Sequence, residues 1–201
     1  KNEACLILLV HEGPSSRVDA EIRAIESIMA DLGLDSADAA AAEGWMDHRN
    51  NVPEWRDLLE QGLIADTIEV SGNWSQIDAI YDDVVAALKT VPDCVNASAH
   101  SSHVYRSGIN LYFTFACMPE DASLMGERYL ESWDRALTSA ASAGGGIAHH
   151  HGAGRLRRDY LHHDLGENGL ALLRKLKQAI DPQGLLNPGN LLPPEAPDES
   201  T

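Results

Sequence analysis

Seven of the nine histidines of this 201-residue chain fall into two groups. His100 and His103 stand in HSSHVY, with Tyr105 two residues further on. His149, His150 and His151 stand in GGGIAHHHGAGR, with His162 and His163 downstream. Imidazole donates, accepts and shuttles protons near neutral pH, so such groups suit a reacting centre. An extended backbone would send His149 and His151 to one side and His150 to the other. A metal site is the obvious alternative, but strong zinc patterns separate their ligands by two or more residues, and adjacent ones diverge. No metal is therefore expected. Histidines buried and bonded to backbone are a further alternative. The flanking glycines let a backbone approach a ligand closely, which favours a binding or reacting site.

Two other residues carry useful chemistry, each with an ordinary structural reading beside it. Tyr105, in HVYRSG, is a proton donor or acceptor, or else an amphipathic ring at a sheet end. Arg56, in EWRDLL, is an anion fork, or else a surface arginine on a helix.

The elements that must position these residues follow from hydrophobic periodicity. Ala4–His11, with LILLV, reads as a buried strand. Val18, Ile22, Ile25, Met29 and Leu32 recur at helical spacing behind Ser15 or Ser16 as N-cap. Ala37–Ala42 carries little information, and Trp45–Asn51 reads as irregular. Pro53 opens a short helix through Trp55, Leu58 and Leu59. Asp66–Gly72 alternates as a strand, and Ser75 caps a helix carrying Ile77, Ile80, Val84 and Leu88. Val95–Tyr105 and Ile109–Met118 flank a turn at Arg106-Ser107-Gly108 and read as an antiparallel hairpin. A long helix over about Asp121–Ala143 shows Leu130, Trp133, Leu137 and Ala140 on one face. A last helix near Glu167–Ile180 carries Leu170, Leu173, Leu176 and Ile180 and stops before Pro182. The tail from Pro193 is rich in Pro and acidic residues. This order predicts an α+β fold, a mostly antiparallel sheet with helices packed on one face.

Composition narrows the function classes. The net charge of −16 opposes a phosphate backbone, so nucleic acid is not an expected partner. No apolar run reaches the length of a membrane helix. Cys5, Cys94 and Cys117 form no CxxC pair, which suits a reduced, cytoplasmic setting. The chain opens at Lys1 almost directly into its first strand, as a segment of a longer protein would.

HVYRSGINLYFTFA, GGGIAHHHGAGRLRRDYL and AIDPQGLLNPGNLL together resemble the C-terminal half of FAD-linked oxidases of the vanillyl-alcohol-oxidase type. The HHHGxG run and WRDLLEQGLIADTIEVSGNW are most similar to alkyldihydroxyacetonephosphate synthase and its bacterial relatives. The resemblance covers Ala4 to Leu192. It implies a cap or substrate domain over residues 1–146, an active-site segment with helices returning toward the flavin over 147–192, and a flexible tail over 193–201. It implies FAD as cofactor, held mainly by an N-terminal domain absent from this chain, so that the fragment alone would be inactive. It assigns Tyr105, His149, His150 and His151 to catalysis, Arg56 to the substrate's anionic group, and Asn187 and Asn190 to the flavin side. The partners implied are a small or lipid-like anionic substrate, the FAD domain of the same polypeptide, and a second copy in a homodimer. Peripheral membrane association is one such setting.

The reaction stays open between an ether-lipid-synthase-like exchange and oxidation of a hydroxy acid or alcohol. A non-catalytic α+β ligand-binding module is the rival from another class. The metal-dependent dehydrogenases of the superfamily use two histidines of HxGDGNxH and the glutamate of EHG. Here the first is His103, the second falls on Tyr112, and the glutamate position reads His150, which again argues against a metal.

Overall fold

The computed structural model describes residues 6–192. They divide into two units between Glu54 and Trp55.

The first unit holds helices α1 (Ser15–Leu32) and α2 (Ala40–His48). The expected strand is not formed: residues 6–12 have no regular structure, and Leu6, Ile7, Leu9 and Val10 are exposed. Ala4 and Cys5 lie outside the described residues. A strand needs a ladder partner for its backbone groups, and this unit's described residues form no sheet. The helix α1 begins at Ser15 itself. Pro14 holds the N-cap position, and the N–H groups of Arg17 and Val18 donate to its carbonyl rather than to a serine side chain. It ends where Gly33 adopts a left-handed conformation (φ 65°). The stretch around Trp45 is helical where irregular chain was expected. The Asp38 carboxylate accepts the Ala40 N–H at 3.0 Å, and the alanines after it are strong helix formers.

The second unit is built on a three-stranded antiparallel sheet, β1 (Ile64–Asn73), β2 (Cys94–His100) and β3 (Gly108–Cys117), in the order β1-β3-β2. Around it lie α3 (Trp55–Glu60), α4 (Ile77–Lys89), α5 (Met125–Ser142), α6 (Gly154–Arg157) and α7 (Leu161–Ile180). The pairing Ile68↔Phe113 and Val70↔Leu111 puts apolar side chains on one face of the pleat. That face meets Ile80, Val84 and Leu88 of α4 and Trp133, Leu137 and Ala140 of α5, all in one core. The α+β architecture with helices against one sheet face is thus as expected. The opposite face is polar. It carries Glu69 and Ser71 of β1, Asn110 and Tyr112 of β3, and His100 of β2, which is paired with Tyr112.

Several local expectations change. Gln76 rather than Ser75 stands at the N-cap position of α4, and its side chain makes no capping hydrogen bond. Leu130 is 58% exposed, because the buried stripe of α5 runs through Ser132, Trp133, Ala136, Leu137 and Ala140 and leaves it on the margin. β2 ends at His100, so His103 and Tyr105 lie in the connection to β3 rather than on a strand. The cause is Asn110, whose Oδ1 accepts from Ser101 Oγ (3.2 Å) and from the N–H groups of Ser102 (3.3 Å) and His103 (2.9 Å), drawing the chain out of the ladder. Pairing resumes only at Val104↔Ile109. α7 breaks at Gly166 (φ 64°, ψ 173°), and its regular part starts at Glu167. Leu170 is buried, whereas Leu176 and Ile180 are exposed. The tail from Pro193 lies outside the described residues.

Candidate active site

The site grows from one buried carboxylate. Glu69, with no solvent exposure, lies between Ile68 and Val70 on β1 and points to the polar face of the sheet. Diagonally across on β3, the fully buried Asn110, itself paired with Ser71, donates from Nδ2 to Glu69 Oε1 at 3.0 Å. The cover over Glu69 is the segment that follows α5. Gly146 exchanges two backbone hydrogen bonds with Ser71 (2.8 and 3.2 Å), and Ser71 Oγ donates to Ala148 O at 3.1 Å. A Cβ on Gly146 would stand 2.6 Å from Ser71 Oγ, so a larger residue here would turn that hydroxyl away from Ala148 O. Arg157, 6% exposed, holds the other side of the segment. Its Nε donates to Ile147 O (3.0 Å) and its Nη1 to Gly152 O (3.3 Å), with the guanidinium 4.8 Å above the Trp133 ring.

Held at both ends, residues 149–151 curl around the carboxylate instead of running extended. The N–H groups of His150 and His151 donate to Glu69 Oε2 at 3.1 and 3.3 Å. The Nδ1 atoms of His149, His150 and His151 stand 3.0, 2.9 and 3.7 Å from Glu69 oxygens. The expected alternation of sides is therefore corrected: all three rings collect at one anion. Burial tends to raise the carboxyl pKa. The hydrogen bonds from the His150 N–H, Asn110, His149 and Tyr112 overcome that and hold it down at about 2.

The outer ends of two imidazoles meet phenols. Tyr105 Oη lies 2.9 Å from His149 Nε2, and Tyr112 Oη lies 3.1 Å from His150 Nε2. His100 stacks on Tyr112 with centroids 5.0 Å apart, and His103 lies 5.4 and 5.0 Å from the rings of His149 and His150. Tyr105 and His149 border a polar depression of about 270 Å3 with Ser71, Gly72, Asn73 and Gly108.

Two sets of three are close enough for a metal ion, His103/His149/His150 and Glu69/His150/His151, each with donor atoms within 4.8 Å of one another. Both oxygens of Glu69 are already hydrogen-bonded, Oε1 to Asn110 Nδ2 and His149 Nδ1, and Oε2 to the N–H groups of His150 and His151.

The structure thus brings Tyr105, His149, His150 and His151 together. Arg56 is exposed on α3 and forms no hydrogen bond or ion pair among the described residues. Asn187 and Asn190 border a different, apolar cavity of about 370 Å3 with Leu173, Leu176 and Leu186. The rings of His162 and His163 lie against each other, tilted by 39° with centroids 3.9 Å apart, outside the cluster. Glu69, Asn110 and Arg157 were not among the residues expected from sequence. The available signal was a lone carboxylate between two apolar strand residues, in a strand whose polar positions face those of β3.

The chain matches the family of FAD linked oxidases, C-terminal domain, over residues 1–191. It is 31% identical to the uncharacterized FAD-linked oxidoreductase YgcU of Escherichia coli O157:H7, over 95% of this chain and 42% of that protein. It is 26% identical to the alkyldihydroxyacetonephosphate synthase of Dictyostelium discoideum, over 94% of this chain and 32% of that one. It therefore spans well under half the length of either relative. A solved alkyldihydroxyacetonephosphate synthase structure superposes with a TM-score of 0.52 at 22% identity, covering 88% of this chain and 30% of that chain, a likeness of fold. No helix of the described residues is long and apolar enough to cross a membrane. With the helix-backed sheet, the motifs and the family match in agreement, the chain belongs to the FAD linked oxidases as a C-terminal domain of that family.

Proposed function

We propose that this chain is the substrate-facing cap of an FAD-dependent enzyme, similar in chemistry to alkyldihydroxyacetonephosphate synthases, in which Tyr105 and His149–His151 exchange a proton with the substrate. The observation that carries this reading is the 2.9 Å contact between Tyr105 Oη and His149 Nε2 beside an open polar depression. The donor set fits a flavin-linked reaction: two phenols and three imidazoles, with Tyr105 half exposed and the one carboxylate buried beneath them. Bound FAD supplies the electron-pair acceptor. The residues here hold and orient the substrate and move its proton at Tyr105 Oη, which His149 keeps polarised.

Arg56 takes the substrate's anionic group, its planar fork suiting phosphate or carboxylate. Asn187 and Asn190 belong to the segment that returns to the flavin. An N-terminal FAD domain of the same polypeptide completes the site, and the chemistry proceeds without a metal. The test is Tyr105→Phe in the intact flavoprotein with bound FAD quantified. Formation of alkyl-dihydroxyacetone phosphate is assayed beside oxidation of 2-hydroxy acids. We expect turnover to fall by roughly 10²–10⁴; near wild-type turnover at full FAD occupancy would remove the tyrosine from the mechanism.

A further inference from the structure

We infer that Cys94 and Cys117 are an oxidation site, a pair that a peroxide closes into a reversible disulfide stapling β2 to β3 at the end of the hairpin away from Tyr105. The inference is independent of the reading above.

The two cysteines are far apart in the sequence, and the sheet brings them face to face. Cys94 of β2 is the register partner of Cys117 of β3. Just outside them the Met118 N–H donates to the Asp93 carbonyl at 2.9 Å, so Cys94 and Cys117 form a non-hydrogen-bonded pair. The Cα atoms of such a pair stand about 4.5 Å apart, and both side chains leave the same face of the sheet. A disulfide spans Cα separations of about 4.4–6.8 Å. The shared face is the inner one: Cys117 lies in the core with Phe113 and Phe115, and Cys94 packs against it. The backbone around Cys94 has room to adjust as the sulfurs close. Asp93 before it is left-handed (φ 64°), and the register shifts between Cys94 and Asn96 after it. A bulged strand end yields more readily than a regular ladder.

The surroundings of the two thiols set the order of events. Cys94 is half-buried at the start of β2, whereas Cys117 has no solvent exposure. Burial pushes the Cys117 thiol pKa up, and the neighbouring Cys94 adds to that. Cys94 is therefore the sulfur that meets the oxidant, and Cys117 is the sulfur that resolves it.

The chemistry balances with one molecule of hydrogen peroxide. The Cys94 thiolate attacks a peroxide oxygen and the O–O bond breaks. Hydroxide leaves as water with the proton Cys94 gave up, and Cys94 becomes a sulfenic acid. The Cys117 sulfur then attacks the Cys94 sulfur, and the S–O bond breaks. The departing hydroxide takes the Cys117 proton and leaves as a second water. Two thiols lose two electrons, and one peroxide gains them. A dithiol reverses the bond by exchange. The loop so closed contains His103, Tyr105, Asn110 and Tyr112. Closing it restricts the unfolded chain while the paired strands keep their register.

The experiment adds hydrogen peroxide to the intact, fully reduced flavoprotein, blocks the remaining thiols, and identifies the digested peptides by mass spectrometry. The expected product is a peptide pair joined through Cys94 and Cys117 that dithiothreitol separates again. This measurement needs no variant to fold. The oxidised protein should melt several degrees above the reduced one. In Cys94→Ser, which leaves the buried Cys117 in place, peroxide should not raise the melting temperature. Recovery of Cys94 as a free thiol, or as a sulfinic acid with Cys117 unlinked, overturns the inference. So does Cys94 joined to Cys5, to any other cysteine or to a second chain. A Cys94–Cys117 bond that leaves the melting temperature unchanged overturns the staple.

Discussion

Arg157 donates through Nη2 to the main-chain carbonyl of Glu69, at 3.4 Å, and not to its carboxylate. The buried cation and the buried anion thus divide their work. The guanidinium holds the backbone of β1 and both ends of the histidine segment, and leaves the carboxylate free for the imidazoles. Arg157→Ala would strand the carbonyls of Ile147, Gly152 and Glu69 and empty the space over Trp133. We expect a loss of about 3 kcal/mol in urea unfolding of the intact protein. Arg157→Lys should recover little, since one ammonium cannot reach three carbonyls from a planar fork. A variant as stable as the parent would show that water replaces the guanidinium there.

Acid should expose the contribution of Glu69. Its folded pKa, about 2, lies below the ordinary 4.5, so its stabilisation is complete above the unfolded value. It is lost as pH falls from 4.5 toward 2. Melting temperatures of the parent and of Glu69→Gln, followed from neutral pH into that window, should converge. A gap that stays constant into acid would show that the carboxylate is not held ionised by its neighbours.

Kinetic coupling should follow the hydrogen bonds rather than the order of the histidines in the chain. Tyr105→Phe and His149→Gln remove the two ends of one contact, so their effects on kcat should be clearly less than additive. His151 packs against the Tyr112 ring, at 5.4 Å, and reaches Glu69 only at 3.7 Å. Tyr105→Phe with His151→Ala should therefore be closer to additive. Equal coupling in both pairs would mean that the whole cluster acts as one unit.

Gly108 is where β3 enters the sheet beside Tyr105, whose N–H donates to the Gly108 carbonyl at 2.9 Å. A Cβ at this position would stand 2.0 Å from the carbonyl oxygen of Gly72 on β1. Neither backbone can yield without breaking the β1–β3 ladder. Gly108→Ala should lower stability by about 3 kcal/mol and reduce turnover through misplacement of Tyr105. Urea unfolding and kcat on the same preparation check both; an unchanged midpoint would show that the strands separate at little cost.

Arg56 is tested by its geometry as an anion fork. Arg56→Lys keeps the charge and loses the bidentate face, so KM for an anionic substrate should rise roughly tenfold with kcat changed less than about twofold. A KM equal to that of the parent would return Arg56 to the surface of α3.

The sequence alone determined the features that rest on neighbours along the chain. Alternation over Asp66–Gly72 and Ile109–Met118, and helical spacing over Ile77–Leu88 and from Trp133 to Ala140, were enough for the helix-backed antiparallel sheet. Glycine at 144–146 and the HHHGAG run were enough to mark a candidate site. What the tertiary structure decided is which atoms face each other. LILLV has the composition of a strand, yet its described residues have no ladder in their own unit, so composition could not make them one. Asn110 ends β2 at His100 from the neighbouring strand, a contact that no local pattern records. Glu69 read as one polar step in an alternating strand. It becomes the centre of the site because residues 146–152 fold back across it after about eighty intervening residues. Burial and hydrogen bonding of a carboxylate are set by groups distant in sequence, and only the packed chain brings those groups to it.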